Sequence, residues 1–151
     1  LSSYEEDKGP KIIDEAMYHF YDSTHIMGFK LVNTGLQMIL DKTVPETISN
    51  HFPMIIDPFL ERNNLIIEDV KHLIFHPGGK KILQTVEGLF GAQGKNINDT
   101  KEVLKLYGNM SSATVLYVLE RFMSEDNQPG EKGLMLSFGP GFSAQRILLE
   151  W

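Results

Sequence analysis

The 151-residue sequence contains no cysteine, which excludes disulfide bonds, thiolate metal sites and a cysteine nucleophile within the chain. It has no apolar run long enough to cross a membrane, and its first ten residues, LSSYEEDKGP, lack the apolar core of a signal peptide. The formal net charge of -6 disfavours binding to the phosphate backbone of nucleic acids. We therefore expect a cytoplasmic protein that binds no nucleic acid. Because the sequence begins at Leu1 and not at Met, we expect a fragment or a processed chain.

The remaining composition indicates one folded domain. Hydrophobic residues make up 42% of the chain and charged residues 23%, a balance typical of globular proteins and not of disordered ones. No internal repeat or linker rich in proline and serine divides the sequence. Residues 1–10 form a polar arm. Residues 11–22 fit either an amphipathic helix or a strand, because their apolar positions satisfy both periodicities.

Turn residues and prolines mark the first elements of the domain. Two apolar runs flank residues 33–35, Asn-Thr-Gly, and this pattern predicts a hairpin. A helix is expected to begin at Pro45 and to end at residues 63–64. Pro53 and Pro58 should kink or divide this helix, because a proline cannot donate a backbone hydrogen bond.

The rest of the chain alternates apolar strands with amphipathic helices. Residues 72–76 form a short apolar run that Pro77 closes, which predicts a buried strand. This order of elements predicts a layered α/β domain in which helices pack on a mixed sheet. The other expected elements are a helix after residues 78–79, a helix capped by Asn98 or Asp99, a helix begun by Ser111 or Ser112, and strands over residues 133–138 and 143–151.

His72 and His76 are four residues apart, a spacing that on a helix would let both imidazoles bind one metal ion. On the predicted strand, however, four residues span about 13 Å, so the two rings cannot share an ion. The sequence therefore predicts no metal site at these histidines.

Residues 139–144, GPGFSA, match the glycine pattern of dinucleotide-binding loops. That pattern requires a helix directly after the loop, because the helix N-terminus holds the pyrophosphate. Here the loop is followed by QRILLEW, which is typical of a strand. We therefore expect a tight turn between two strands, in which Pro140 fixes φ and the glycines allow close backbone approach.

His76 and Asn109 are the candidate functional residues by position. His76 is expected at the C-terminal end of a buried strand, the edge where α/β sheets bind ligands, although a satisfied core histidine would occupy the same place. Asn109 precedes a helix, where capping is the simpler role. Lys80 and Lys81 open a helix, where the dipole opposes cations, so they indicate either an anion contact or two solvated lysines.

Three segments together resemble the C-terminal signature blocks of the chalcone and stilbene synthases, which are type III polyketide synthases. These segments are FHPGGKKILQTVE (75–87), YGNMSSATVLYVLE (107–120) and SFGPG (137–141), and they occur in the family's order. Residues 27–48 are similar to the family's bacterial members. We expect residues 24–151 to be the C-terminal half of a thiolase-like fold, and residues 1–23 to be the polar arm and a first element.

The resemblance implies that His76 and Asn109 are two members of the family's Cys-His-Asn triad, whose cysteine would come from the first half of the fold. Ser137 replaces the first glycine of the family's usual GFGPG loop. Met38 falls near the position where plant members have a gatekeeper phenylalanine. The implied substrate-binding residues are Gly78, Gly79, Met38, Ser111, Phe138, Gly139, Pro140 and Gly141.

The reaction that the resemblance implies is a decarboxylative Claisen condensation of malonyl-CoA onto an acyl-CoA starter, which gives a resorcinol, pyrone or chalcone-like product. An imidazolium stabilises the cysteine thiolate that is acylated, and His and Asn donors then face the thioester oxygen as charge develops on it. Coenzyme A thioesters are the substrates, and no metal or other cofactor is implied. We expect the N-terminal half of the same enzyme as a partner, a homodimer, and no activity from this chain alone.

Two other interpretations are compatible with the same residues. The chain could be a non-catalytic domain that binds acyl-thioesters or a partner chain, or it could belong to a related ketoacyl synthase of fatty-acid initiation. YGNMSSA and FGPG favour the polyketide synthases over the ketoacyl synthases. A cysteine-bearing thiolase half encoded upstream of Leu1 would distinguish an enzyme from a binding domain.

Overall fold

The computed structural model describes residues 9–91, 94–95, 97–124 and 126–151, so most of the expected polar arm lies outside the described residues. The ambiguous segment 11–22 contains a strand and no helix. In chain order the elements are strands β1 (Lys11–His19), β2 (Met27–Val32) and β3 (Gly35–Leu40), helix α1 (Val44–Glu61), a 3-10 turn (Ile67–Asp69), strand β4 (Val70–Phe75), helices α2 (Lys80–Gly91), α3 (Asn98–Tyr107) and α4 (Ala113–Met123), and strands β5 (Lys132–Gly139) and β6 (Ser143–Glu150).

Four of the strands form the main sheet, in the order β1-β6-β5-β4. Strands β1 and β5 each pair with β6 in antiparallel orientation, whereas β4 pairs with β5 in parallel orientation. A parallel pair requires a crossover connection, and α2, α3 and α4 all lie in the segment between β4 and β5. The predicted mixed sheet with packed helices is therefore confirmed.

Side chains of β4 alternate between two apolar cores, because successive strand residues point to opposite faces of the sheet. Leu73 and Phe75 of β4 join the larger core with α1 and α2, whereas Ile74 joins a smaller core with α3 and α4. Helices therefore cover both faces of the sheet, as the layered architecture predicts. Within the described ranges, none of these helices combines the length and the apolar character that crossing a membrane requires.

Strands β2 and β3 form the predicted hairpin, with Asn33 and Thr34 between them. Gly35 has a φ of 121°, a conformation that L side chains rarely adopt, so this turn favours glycine. The hairpin is a separate two-stranded sheet, and Leu31 and Leu36 are exposed on it.

Helix α1 contains Pro53 and Pro58 but runs without a break from Val44 to Glu61, so the predicted division at these prolines is wrong. A proline inside a helix costs about 3 kcal/mol, whereas each fully buried Leu, Ile or Phe side chain contributes about 1.5–3 kcal/mol. The apolar face of α1 therefore outweighs the two prolines. Its buried residues are Val44, Ile48, Phe52, Ile55, Ile56, Phe59 and Leu60.

The N-cap residue of α3 is not one of the two predicted residues, whereas α4 begins directly after Ser112, as predicted. Ile97 occupies the N-cap position of α3, and Asn98 and Asp99 lie in its first turn. The Asp99 carboxylate instead accepts a hydrogen bond from Arg121 Nε of α4 at 2.6 Å, which ties the two helices together. Ser112 is the N-cap residue of α4 but makes no side-chain capping hydrogen bond.

Glu131 connects the start of β4 to the loop before β5. Its carboxylate accepts a hydrogen bond from Lys71 Nζ and another from His72 Nε2, the second at 2.9 Å. The side-chain hydrogen bond from Lys71, followed by that from His72, lowers the pKa of Glu131 from 4.5 to about 2. The carboxylate therefore stabilises the fold in its ionised form.

Glu131→Gln is expected to remove an acid-sensitive part of the stability. A carboxyl group with a lowered pKa in the folded chain stabilises it fully above pH 4.5, and this contribution is lost as the pH falls towards 2. Urea unfolding midpoints should fall more steeply for wild type than for Glu131→Gln between about pH 5 and about pH 2.5. Exposed Glu68→Gln is the matched control. Parallel pH profiles for wild type and Glu131→Gln would contradict this account.

Gly133→Ala is expected to displace the indole of Trp151. A Cβ at Gly133 would lie 2.6 Å from Trp151 Cζ3, and the indole packs against His72 at a ring-centroid distance of 4.7 Å. The free energy of unfolding should fall by about 1–3 kcal/mol in urea titrations. Gly88→Ala in α2 is the control, since its Cβ would meet nothing within 4 Å, and it should raise stability by up to about 1 kcal/mol. Equal stability of Gly133→Ala and wild type would show that the indole is not confined.

Candidate active site

His76 directly follows β4 at the C-terminal edge of the sheet. Its backbone N–H donates to the Leu136 carbonyl of β5 at 2.9 Å, so the strand pairing extends as far as this residue. The imidazole is half-buried, and this burial lowers the pKa of His76. Its Nδ1 is buried, and none of the described residues forms a hydrogen bond with it. The ring is therefore mainly neutral at pH 7.

The glycines after Pro77 turn the chain from β4 into α2. Gly78 has a φ of 56°, and a Cβ there would lie 3.1 Å from Ile82 Cδ1, so this position favours glycine. Gly79 follows, where an added Cβ would meet open space. Lys80 and Lys81 then begin α2, and both are exposed.

Asn109 connects the loop before α4 to the loop after His76. Its Nδ2 donates to the Gly78 carbonyl at 2.7 Å, and its Oδ1 accepts from the Ser111 N–H at 2.8 Å. The second bond forms a local turn in which Ser111 has a φ of 60°. Asn109 is not the N-cap residue of α4, so the capping role predicted for it is wrong; its side chain instead fixes its own loop against the His76 loop.

Gly139 ends β5, and Pro140 and Gly141 follow it in the tight turn to β6; these three residues are called the 139–141 turn. Gly141 has a φ of 90°, and its N–H donates to the Met27 carbonyl of the hairpin at 2.9 Å. Because a strand follows this turn, the predicted strand-to-strand turn is confirmed and the helix of a dinucleotide loop is excluded. Since β5 is parallel to β4, the turn with Gly139 and Pro140 lies at the same sheet edge as His76.

Three other residues with an expected role in substrate binding lie at different depths. Phe138 is buried in the larger core, with its ring edge-on to Phe75. Met38 lies opposite Phe29 in the hairpin and is 64% exposed. Ser111 is exposed beside Asn109. The structure therefore brings the His76 loop and Asn109 into contact but leaves Met38 on an open surface.

His72 lies apart from this edge. It is buried near the start of β4, where its ring pairs with Glu131. His76 lies beyond the other end of the same strand. Across residues 9–91, 94–95, 97–124 and 126–151, no three His, Asp or Glu side chains come close enough to hold a metal ion.

Thr114 supports the Asn109 loop, although it is not among the residues expected from the sequence. Its side chain is fully buried, and its hydroxyl accepts the N–H of Met110 at 2.8 Å. The run of small polar residues before α4 was the available signal, because such side chains often bond to nearby backbone at helix starts.

The edge described above can supply hydrogen-bond donors to an oxygen atom. A neutral His76 ring carries one N–H, and the Asn109 amide has two hydrogens, of which the Gly78 carbonyl accepts one. Donors held in fixed positions stabilise an oxygen that gains negative charge during a reaction. Lysine ammonium groups at the start of α2 add positive charge nearby.

Sequence comparison finds relatives that are named as synthases. The chain is 29% identical to a putative chalcone synthase of Bacillus subtilis strain 168, over 94% of this chain and 39% of that protein. It is 33% identical to the 1,3,6,8-tetrahydroxynaphthalene synthase of Streptomyces peucetius subsp. caesius, over 88% of this chain and 36% of that protein. The chain thus spans about two-fifths of the length of these relatives.

Two crystal structures share the fold. One is the 1,3,6,8-tetrahydroxynaphthalene synthase of Streptomyces coelicolor A3(2), a bacterial type III polyketide synthase, with a TM-score of 0.84 and 27% identity over 95% of this chain and 41% of that chain. The other is PKS-I of the brown alga Ectocarpus siliculosus, with a TM-score of 0.85 and 28% identity over 98% of this chain and 41% of that chain. The predicted class, the C-terminal half of a thiolase-like fold, is confirmed.

The family model described as chalcone and stilbene synthases, C-terminal domain, matches residues 13–150. This range begins within β1 and ends with β6, so it contains nearly every element of the structure. It also contains the three segments on which the resemblance was based. The chain therefore belongs to the chalcone and stilbene synthase family, the type III polyketide synthases, and corresponds to its C-terminal domain.

Proposed function

We propose that this chain supplies the histidine and asparagine of a polyketide synthase active site that condenses malonyl-CoA with an acyl-CoA starter. The observation that carries the proposal is the hydrogen bond from Asn109 Nδ2 to the Gly78 carbonyl at 2.7 Å. This bond holds the Asn109 amide beside the loop that begins at His76. The similarity to a bacterial type III polyketide synthase supports the same assignment.

In the proposed reaction, the nucleophile is a cysteine thiolate from another segment, because this chain contains no cysteine. It attacks the acyl-CoA starter, coenzyme A leaves as its thiolate, and the cysteine carries the acyl group as a thioester. Malonyl-CoA loses carbon dioxide, and the electron pair of the broken bond forms an enolate whose oxygen is negative. His76 and Asn109 donate hydrogen bonds to that oxygen and so lower the barrier to decarboxylation. The enolate carbon then attacks the acyl carbon, and the cysteine thiolate leaves as the new carbon–carbon bond forms.

The proposal also covers the surroundings of these two donors. Gly78, Gly79 and the 139–141 turn border the reacting groups, Phe138 supports that turn from the core, and Ser111 and Met38 lie at the open side. Coenzyme A thioesters are the substrates, and no other cofactor is part of the proposed chemistry, because hydrogen-bond donors meet the charge that develops. A cytoplasmic location and a homodimer belong to the same proposal.

The gene and an activity assay together test this function. We expect a cysteine-bearing thiolase half encoded in frame before Leu1, and a start codon directly before Leu1 would favour a non-catalytic binding domain instead. The encoded protein should release carbon dioxide from malonyl-CoA. His76→Ala and Asn109→Ala should each lower kcat by about 10²–10³-fold, because each removes one donor to the enolate oxygen.

Matched substitutions on α1 control for the loss of each residue type. His51→Gln and Asn50→Ala should keep wild-type rates, since both residues lie on α1 and neither bonds to His76 or Asn109 in the part of the chain that the structure describes. Wild-type rates in His76→Ala or Asn109→Ala would contradict the assigned roles. Turnover by the isolated chain above that of its His76→Ala variant would contradict the need for a separate cysteine.

Helices α3 and α4 present an apolar surface that suits the cysteine-bearing half. Leu106, Tyr107 and Leu116 are exposed by 60%, 54% and 58%, and the rings of Tyr107 and Tyr117 pack at a centroid distance of 5.1 Å. Contiguous exposed apolar patches mark interaction sites. We assign this α3–α4 surface (Leu106, Tyr107, Leu116 and Tyr117) to the contact with the other half, and expect the isolated chain to self-associate through it.

Leu116→Glu is expected to weaken self-association of the isolated chain. A carboxylate on the α3–α4 surface would lose its hydration on association, so the apparent mass in size-exclusion chromatography should shift towards the monomer. Ile66→Glu adds the same charge at a side chain that is equally exposed, by 58%, but lies outside this surface. A wild-type chain that is a strict monomer at high concentration would count against the assignment, as would equal effects of the two variants.

A further inference from the structure

The peptide group that joins Phe75 to His76 is held from both sides. Its N–H donates to the Leu136 carbonyl of β5 at 2.9 Å. Because a trans peptide group points its carbonyl away from its N–H, the Phe75 carbonyl faces the side on which β4 ends the order of strands in the described sheet. On that side it accepts a hydrogen bond from the Thr100 hydroxyl of α3 at 3.2 Å. Thr100 therefore takes the place that a neighbouring strand would have at this residue.

The hydrogen bond from Thr100 to Phe75 lies in the interior of the protein. Both residues are fully buried, so water has no access to it. A buried backbone carbonyl that loses its partner raises the free energy of the arrangement, and the peptide group then shifts towards another partner. Because this peptide group leads directly into His76, the Thr100 hydroxyl fixes the backbone position from which the imidazole projects.

A second buried threonine holds the peptide group next to Asn109. The Thr114 hydroxyl of α4 accepts the Met110 N–H at 2.8 Å. The ion pair that joins α3 to α4 involves the residue directly before Thr100. Helices α3 and α4 thus bind the peptide groups beside both candidate donors, and their packing sets the separation of His76 from Asn109.

We propose that Thr100 is a positioning residue for His76, because its hydroxyl fixes the backbone from which the imidazole reaches the thioester oxygen. The catalytic consequence rests on the proposed function, in which His76 donates to an oxygen that gains negative charge. A displaced donor stabilises that oxygen less well, since hydrogen bonds weaken with distance and with poor alignment. Thr100 is fully buried and acts only through the peptide group before His76.

Amide hydrogen exchange, measured by nuclear magnetic resonance on the 151-residue chain, tests the local effect. Thr100→Val keeps the side-chain volume but removes the hydroxyl, so the His76 amide should exchange about three- to tenfold faster relative to the amides of β6. The Phe75 carbonyl ¹³C resonance should move upfield, because this carbonyl is no longer hydrogen-bonded. Thr100→Ser retains a hydroxyl and should keep the wild-type exchange rate and resonance.

Thr47→Val is the matched control. The Thr47 hydroxyl also donates to a backbone carbonyl, that of Thr43 at 3.0 Å, but at the start of α1, so its loss should leave His76 exchange unchanged. An unchanged His76 rate in Thr100→Val would overturn the proposal. Equal acceleration at the amides of β6 would also overturn it, since it would indicate a general loss of stability.

A second substitution guards against misfolding of the first. Thr100→Ala also removes the hydroxyl, and it replaces Thr100→Val if valine disturbs α3. Backbone amide spectra show whether each variant retains the fold. Unfolded spectra of both variants would assign the hydroxyl to folding alone and so would refute a role in positioning His76.

Kinetics of the encoded enzyme test the link to His76. Thr100→Val should lower kcat for malonyl-CoA decarboxylation about three- to tenfold with little change in KM, because the hydroxyl orients a donor and does not touch the substrate. In a His76→Ala background the same substitution should cause no further loss, since a positioning residue acts through the residue that it positions. Equal losses in the two backgrounds would contradict the proposal.

The two measurements together separate this inference from the function on which it rests. Faster His76 exchange in Thr100→Val, without any His76-dependent turnover, would uphold the backbone role of Thr100 but refute the proposed function. An unchanged kcat in Thr100→Val, in an enzyme whose turnover depends on His76, would refute the role of Thr100 alone.

Discussion

The parallel pairing of β4 with β5 is the constraint on which the rest of this structure depends. A short turn can join antiparallel strands, whereas a parallel pair requires the chain to return to the edge from which it started. Here the return contains α2, α3 and α4, which cover the two faces of the sheet. The same pairing brings the ends of β4 and β5 to one edge, where α/β sheets bind ligands. His76 and the 139–141 turn lie at the same edge of the sheet for this reason.

Local chemistry predicts elements well where one residue type permits few conformations. The Asn33-Thr34-Gly35 turn and the glycines after Pro77 are such places, and the hairpin and α2 were predicted from them. Predictions from local sequence were wrong where contacts with residues distant in the sequence outweigh the local preference. Asp99 could cap α3, but Arg121 of α4 binds its carboxylate, and the prolines of α1 are tolerated because a long apolar face is buried. Neither contact is visible in a short window of sequence.

The pairing of β1 and the contacts of Asn109 also depend on residues that are distant in the sequence, so local sequence rules cannot predict them. The apolar pattern of residues 11–22 fits both a helix and a strand, and pairing with β6 stabilises the strand. His76 and Asn109 could be named from motifs, whereas the bond from Asn109 to the Gly78 carbonyl depends on where α3 packs. The sequence therefore names the candidate residues one by one, whereas tertiary packing determines which of them come into contact.

The pairing of β1 with β6 also brings the two ends of the described chain together, with Lys11 opposite Glu150. These ends lie at the sheet edge away from His76, because β6 starts at the 139–141 turn and runs from it. Such a contact closes the segment between Lys11 and Glu150 into one loop, so it carries an entropic cost during folding that a local contact does not. A circular permutant that links the two ends and opens the hairpin turn would make this pairing local, and the polar edge around His76 would keep its geometry.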